Sequence, residues 1–400
     1  MEHLKLSSAG LIAPRAASDA SVVGRPPAPI GAGSTAGVIG RMPWWTWAWP
    51  LLAWAVLVAA FAGGGVGGAA VVAVEAVVLV ATVFAAVWHA EVVAHRVGEP
   101  FGTLVLALAV TVIEVALIVS VMLAGKPGGE ALARDTAFAT VMIILNGVIG
   151  LCLLLGGVLH REQEFQVKGA SAALAVLAVL VTLSLVLPNL TTTAAGPAYS
   201  PSQLMFAGTV SLVLYGVFLF VQTVRHRDYF LLDPEHGLAE EKKHAPRPSG
   251  AMVLASLALL LISLAAVVGL AKALTPAVDQ GIAAMGAPKA VVGIVIAAVV
   301  LMPEGLAALR AARVNRLQTA GNLALGSALA TIGLTIPAVA AVSIVLGAPL
   351  TLGLGPKEEV LFALTLLVSV MTLSTGRTTV LQGAVHLVIL AAFLFLAIVP

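Results

Sequence analysis

Long apolar runs alternate along the chain with short breaks rich in glycine, proline and charge. A helix of about 20 mostly apolar residues spans a bilayer. The runs predict eleven transmembrane helices, near 44–62, 69–94, 103–124, 135–159, 170–188, 203–224, 251–273, 289–309, 319–346, 358–374 and 378–398. The most polar internal stretch, 225–250, follows the sixth run and leaves five spans on each side of it, behind a lone first helix. Five is odd, so the second set enters the membrane in the opposite direction to the first. The predicted fold class is an all-α polytopic membrane protein of about 11 transmembrane helices, one N-terminal helix plus two inverted five-helix repeats. The parts expected are a disordered cytoplasmic tail over 1–42, the first helix within 43–66, repeat 1 over 67–224, a cytoplasmic loop over 225–250 and repeat 2 over 251–400.

Composition agrees. The 400 residues are 60% hydrophobic and 10% charged, with a mean hydropathy of +1.07, whereas soluble domains carry about 25% charged residues. One cysteine, Cys152, excludes an internal disulfide framework and reads as a small hydrophobe. The net charge of +2 does not point to nucleic acid, because the basic residues sit between spans. With the N-terminus in the cytoplasm, the inside segments hold 16 of the 21 Lys and Arg residues and the outside segments 5. That bias follows the positive-inside rule and supports eleven spans. The first 42 residues lack the apolar core of a secretory signal, so a bacterial inner (plasma) membrane is the expected location.

Charge is expensive in hydrocarbon, so an intramembrane carboxylate marks an ion path or proton relay. Two stand out, one per half. Glu114 lies in GTLVLALAVTVIEVALIVSVML, about 16 Å along the helix from Thr103 and close to the bilayer centre. Glu304 lies in VVGIVIAAVVLMPEGLAALRAAR, where Pro303 and Gly305 predict a helix break at the acid. The plainer account of either acid is a neutral group hydrogen-bonded to a neighbouring helix. The next span in each half carries a short polar residue among small ones, Asn146 in MIILNGVIGLCLLLG and Ser327 in NLALGSALATIGLTIP. Aligning the two also aligns Gly156 with Pro337, and an amide or hydroxyl there can offer oxygen to a cation. Thr111, Asn322 and Thr331 are secondary candidates. Glu75, near the start of its span, is expected to snorkel to the surface. His89, Glu91, His95 and Glu99 cluster at a helix end, as an interface cluster or a proton antenna would.

The chain has no HExxH, GxGD, Walker loop or Asp-rich diphosphate-binding motif, which argues against an enzyme or an ATP-driven pump. What remains is a secondary transporter, or a cation channel using the same acids.

The motifs HAEVVAHRVGEPFGTL, TVIEVALI, ARDTAFATVMIILNGVIGLCLLLGG, YGVFLFVQT, PEGLAALRAARVNRLQTAGNLALGSALATIGLTIP and STGRTTVLQGAVHL resemble the cation/Ca²⁺ exchanger superfamily, most closely its bacterial ChaA-type Ca²⁺/H⁺ (Na⁺/H⁺, K⁺/H⁺) antiporters. The resemblance implies an eleven-helix inverted repeat with one ion-binding acid per repeat, carried here by Glu114 and Glu304, and a GS motif at Gly326–Ser327. Where the wider calcium/proton branch has a GNA-type element before each acid, this chain has Val110–Thr111–Val112 and Val300–Leu301–Met302. It has Ala330 where that branch has Gln. A thinner oxygen set leaves Na⁺ and K⁺ open beside Ca²⁺. The expected partners are these cations, protons and the lipid bilayer, with no bound cofactor. The expected function is exchange of cytoplasmic cations for protons by alternating access, with a monovalent-only Na⁺(K⁺)/H⁺ antiporter as the alternative.

Overall fold

The structure is a computed structural model that describes residues 42–62, 68–98, 101–123, 128–230, 248–284, 286 and 288–399. Residues 1–41 of the tail expected over 1–42 and residues 231–247 of the 225–250 loop lie outside the described residues. The described helices are α1 (Trp44–Ala62), α2 (Ala69–Val97), α3 (Phe101–Leu123), α4 (Gly129–His160), α5 (Val167–Leu190), α6 (Pro201–Arg225), α7 (Gly250–Ala284), α8 (Ala290–Arg313), α9 (Leu317–Leu346), α10 (Pro356–Leu373) and α11 (Val380–Ile398). Ten are long and apolar enough to cross a membrane. In α10, Lys357, Glu358 and Glu359 crowd the first turn, where the two acids complement the exposed N–H groups and the helix dipole.

The ends are written locally. Ser200 with Gln203, and Thr379 with Gln382, form capping boxes that start α6 and α11. The helices then pack as two related sets. Helix α3 packs on the middle of α9, and α8 packs on α4; α6 lies along α9, and α11 along α4. Helices α2 and α7 pair with each other, and α1 lies against both. His89 accordingly belongs to the α1–α2 contact, its Nε2 3.0 Å from the Thr46 carbonyl.

Two short clamps tie the two repeats together at the helix ends. Strand β1 (Gln163–Glu164), after α4, pairs antiparallel with β2 (Arg377–Thr378), before α11. In the mirrored place, the segment after α9 bonds the segment before α6, Leu352 and Gly353 donating their N–H groups to the Pro197 carbonyl at 3.2 and 2.9 Å. Arg134 at the start of α4 donates to the Gly353 carbonyl at 3.1 Å. Gln318 at the start of α9 accepts from the Gln166 N–H at 2.6 Å. The starts of α4 and α9 are thereby pinned by equivalent means.

Inside both of these helices the backbone departs from α geometry. A π-helical turn runs over Ile143–Val148 in α4 and another over Thr331–Thr335 in α9. Such turns concentrate at functional sites, because the extra residue re-aims side chains without ending the helix. By contrast, the break expected at Glu304 is absent: α8 runs unbroken through Pro303 from Ala290 to Arg313. Proline costs one backbone bond there, a loss neighbouring helices can absorb. Gly305 faces the α4 turn, where a Cβ on it would make ordinary contact with Val148 at 3.4 Å. Glu75 is likewise corrected. It is buried, at 6% exposure, rather than extended to the surface.

Candidate ion-binding site

Glu114 and Glu304 are both buried, at 2% and 8% exposure. Oε2 of Glu114 accepts hydrogen bonds from Thr335 at 2.8 Å and Thr331 at 3.1 Å, one hydroxyl at each end of the α9 π turn. Its Oε1 has no hydrogen-bond partner among the described residues. Oε2 of Glu304 is equally without a partner among the described residues. Glu304 also lies close enough to Glu114 and Glu91 to interact with both through charge, and Glu91 in turn with Arg310.

A buried polar atom without a partner costs about 1–3 kcal/mol, more if it carries charge. A pair of neighbouring carboxylates, each with one orphaned oxygen, is therefore an arrangement that a proton or a cation stabilises. Among the described residues there is no cluster of three or more His, Cys, Asp or Glu side chains that could hold a metal.

The other expected ligands separate. Asn146 sits in the α4 π turn and is fully buried, but its amide is turned to α10 and α11. Its Nδ2 donates to Thr365 at 3.0 Å, and its Oδ1 is 3.1 Å from Nδ1 of His386. Ser327 is half-buried, one turn before the α9 π turn. Thr111 is buried one turn before Glu114. Asn322 is not brought to the acids: its Nδ2 donates to the Phe230 carbonyl and its Oδ1 accepts from Gln318. Thr335 was not among the expected residues, although its spacing of four from Thr331 places both hydroxyls on one helix face.

Counted from the acids, Asn146 follows Glu114 by 32 residues and Thr335 follows Glu304 by 31, one residue out of step, while Ser327 follows Glu304 by 23.

Comparison with known proteins agrees with this architecture. The sodium/calcium exchanger protein family matches residues 67–224 and 255–399. The ionic transporter y4hA of Sinorhizobium fredii is 52% identical over 361 residues, covering 90% of this chain and 97% of that protein. The sodium-potassium/proton antiporter ChaA of Escherichia coli is 37% identical over 318 residues, covering 79% and 85%. The solved structure of YfkE, 18% identical, matches with a TM-score of 0.68 over 89% of this chain and 100% of that one, which shows a common fold. The chain is a multi-pass membrane antiporter that belongs to the sodium/calcium exchanger protein family of the cation/Ca²⁺ exchanger superfamily.

Proposed function

We propose that the protein exchanges cytoplasmic cations for protons by alternating access, and that Glu114 and Glu304 form one shared site that holds either a cation or protons. The observation that carries this reading is the pair of buried carboxylates within charge reach of each other, each with one unpartnered oxygen. Burial favours the neutral acid, and a bound cation favours the carboxylate. The two groups then act as a coupled pair. Ca²⁺ neutralises both carboxylates, whereas Na⁺ or K⁺ neutralises one and leaves the other protonated. If the helices reorient only when the site is neutral, cation movement one way requires proton movement the other.

Hydroxyls from Thr331 and Thr335 hold one Glu114 oxygen and leave the other for the ion. The names of the relatives support both Na⁺/K⁺ and Ca²⁺ as cargo: ChaA of Escherichia coli is a sodium-potassium/proton antiporter, and a protein of Aphanothece halophytica, 24% identical, is a Ca²⁺/H⁺ antiporter. In a bacterial inner membrane, with the N-terminus in the cytoplasm, an inward proton gradient would drive cation export.

In everted vesicles with an imposed pH gradient, Glu114→Gln and Glu304→Gln should each abolish cation-dependent proton movement for Ca²⁺, Na⁺ and K⁺. Normal exchange in either variant would remove the shared-carboxylate mechanism. A flux that does not saturate and is not coupled to protons would make the protein a channel.

A further inference from the structure

A buried polar cluster next to the site takes no part in the exchange scheme above. His386 of α11 is enclosed, at 1% exposure, and both ring nitrogens have partners: Nδ1 lies 3.1 Å from Oδ1 of Asn146 and Nε2 3.2 Å from Oγ1 of Thr372. The Asn146 amide is oriented by its bond from Nδ2 to Thr365, so its carbonyl oxygen faces the ring, and that oxygen can only accept. Nδ1 therefore carries a proton, and Nε2 of the neutral ring accepts from the Thr372 hydroxyl. Thr365 donates onward to the Met142 sulfur at 3.5 Å. The donors thus run one way, Thr372 to His386 to Asn146 to Thr365 to Met142, and every member is neutral.

The chain of bonds passes through Asn146, inside the α4 π turn that packs against α8, and ends on Met142 just before that turn. The ring has little freedom to withdraw, because a Cβ on Gly150 of α4 would lie 3.0 Å from Cβ of His386. On its opposite side the same π turn fits against Gly305, the residue after Glu304, through Val148.

We propose that His386 is a positioning residue of the exchanger: it fixes the Asn146 amide, and with it the π turn of α4 that shapes the Glu304 half of the ion site. This rests on the reading that Glu304 belongs to that site. Leucine at 386 would fill much of the space but supply no donor, leaving the Asn146 oxygen unpartnered and the turn free to shift.

The test is cation-dependent proton movement in everted vesicles across a cation concentration series, normalised to the amount of folded transporter. His386→Leu should raise the half-saturating cation concentration about fivefold, the worth of one buried hydrogen bond, with the maximal rate within about twofold. Asn146→Ala should do the same, and the double variant should do no more than either alone. His386→Gln, whose amide can both donate and accept, should restore the wild-type value. If His386→Leu does not fold, Thr372→Val carries the test, because it frees Nε2 and lets the ring tautomer invert. An unchanged half-saturation, or effects that multiply in the double variant, would overturn the proposal. A wild type without cation-dependent proton movement would instead overturn the exchange reading on which it rests.

Discussion

In α9 the π turn aims two threonine hydroxyls at Glu114, while the π turn of α4 carries Asn146, whose amide bonds Thr365 and His386 instead. The backbone device is the same, and the helices that carry the turns are clamped in the same way at their starts. Side chains make the difference. Glu114 is a carboxylate held at one oxygen by two hydroxyl donors. Glu304 has no side-chain donor among the described residues and lies instead within charge reach of two other acids, Glu91 and Glu114. An inverted repeat thus gives two acids similar depth and opposite direction without giving them the same chemistry. In the proposed exchange, Glu114 would be the oriented half of the site, and Glu304 the half held by fewer donors.

The contrast can be broken most directly at the threonines. Replacing both Thr331 and Thr335 by valine keeps the shape and removes both donors. Hydrogen bonds to charged groups contribute about 1.5–3 kcal/mol, so apparent cation affinity in a vesicle assay should fall by about 10- to 100-fold. Met142→Leu, just before the α4 π turn, should change it by less than about twofold, because near-isosteric core swaps cost little. Comparable losses at the two positions would mean that the halves are not used differently.

A smaller effect should follow from crowding the α9 turn against α6. A Cβ on Gly333 would sit 2.6 Å from Cβ of Tyr215, closer than van der Waals contact. Gly333→Ala should destabilise the protein by about 1–3 kcal/mol, read as a lower melting temperature in detergent. Unchanged stability there would show that α6 and α9 do not lock the Glu114 half.

The smallest effect belongs to the clamp at β2. Arg377 pairs with Glu164 at 2.7 Å, but its side chain is 66% exposed. Arg377→Ala should therefore alter stability by no more than about 1 kcal/mol. A large loss of exchange would give that clamp a role in the transport cycle beyond holding helix ends.

Much of the fold was legible because its signals are one-dimensional. Run lengths and loop charge placed eleven helices, and a carboxylate inside an apolar run is conspicuous wherever the chain goes. Glu114 and Glu304 were visible for that reason. The π turns were not, since VMIILNGVIG and ALATIGLTIP look like ordinary apolar helix and the extra residue is forced by packing between helices. With the turns hidden, nothing pointed to Thr335 or to the bond between Asn146 and His386. Pro303–Gly305 misled in the other direction. Local chemistry predicted a break, yet α8 runs through Pro303 and Gly305 whole. Glu75 misled for a related reason: position along a span does not tell which neighbour will cover the side chain.

The central claim, that one pair of carboxylates serves cation and proton in turn, can be tested without transport. Calorimetric titration of the purified protein with cation, in buffers of differing ionisation enthalpy, counts the protons released on binding. The account predicts that the wild type releases protons as cation binds, that Glu114→Gln and Glu304→Gln each release fewer, and that the double variant releases none. Cation binding with undiminished proton release in the double variant would contradict it.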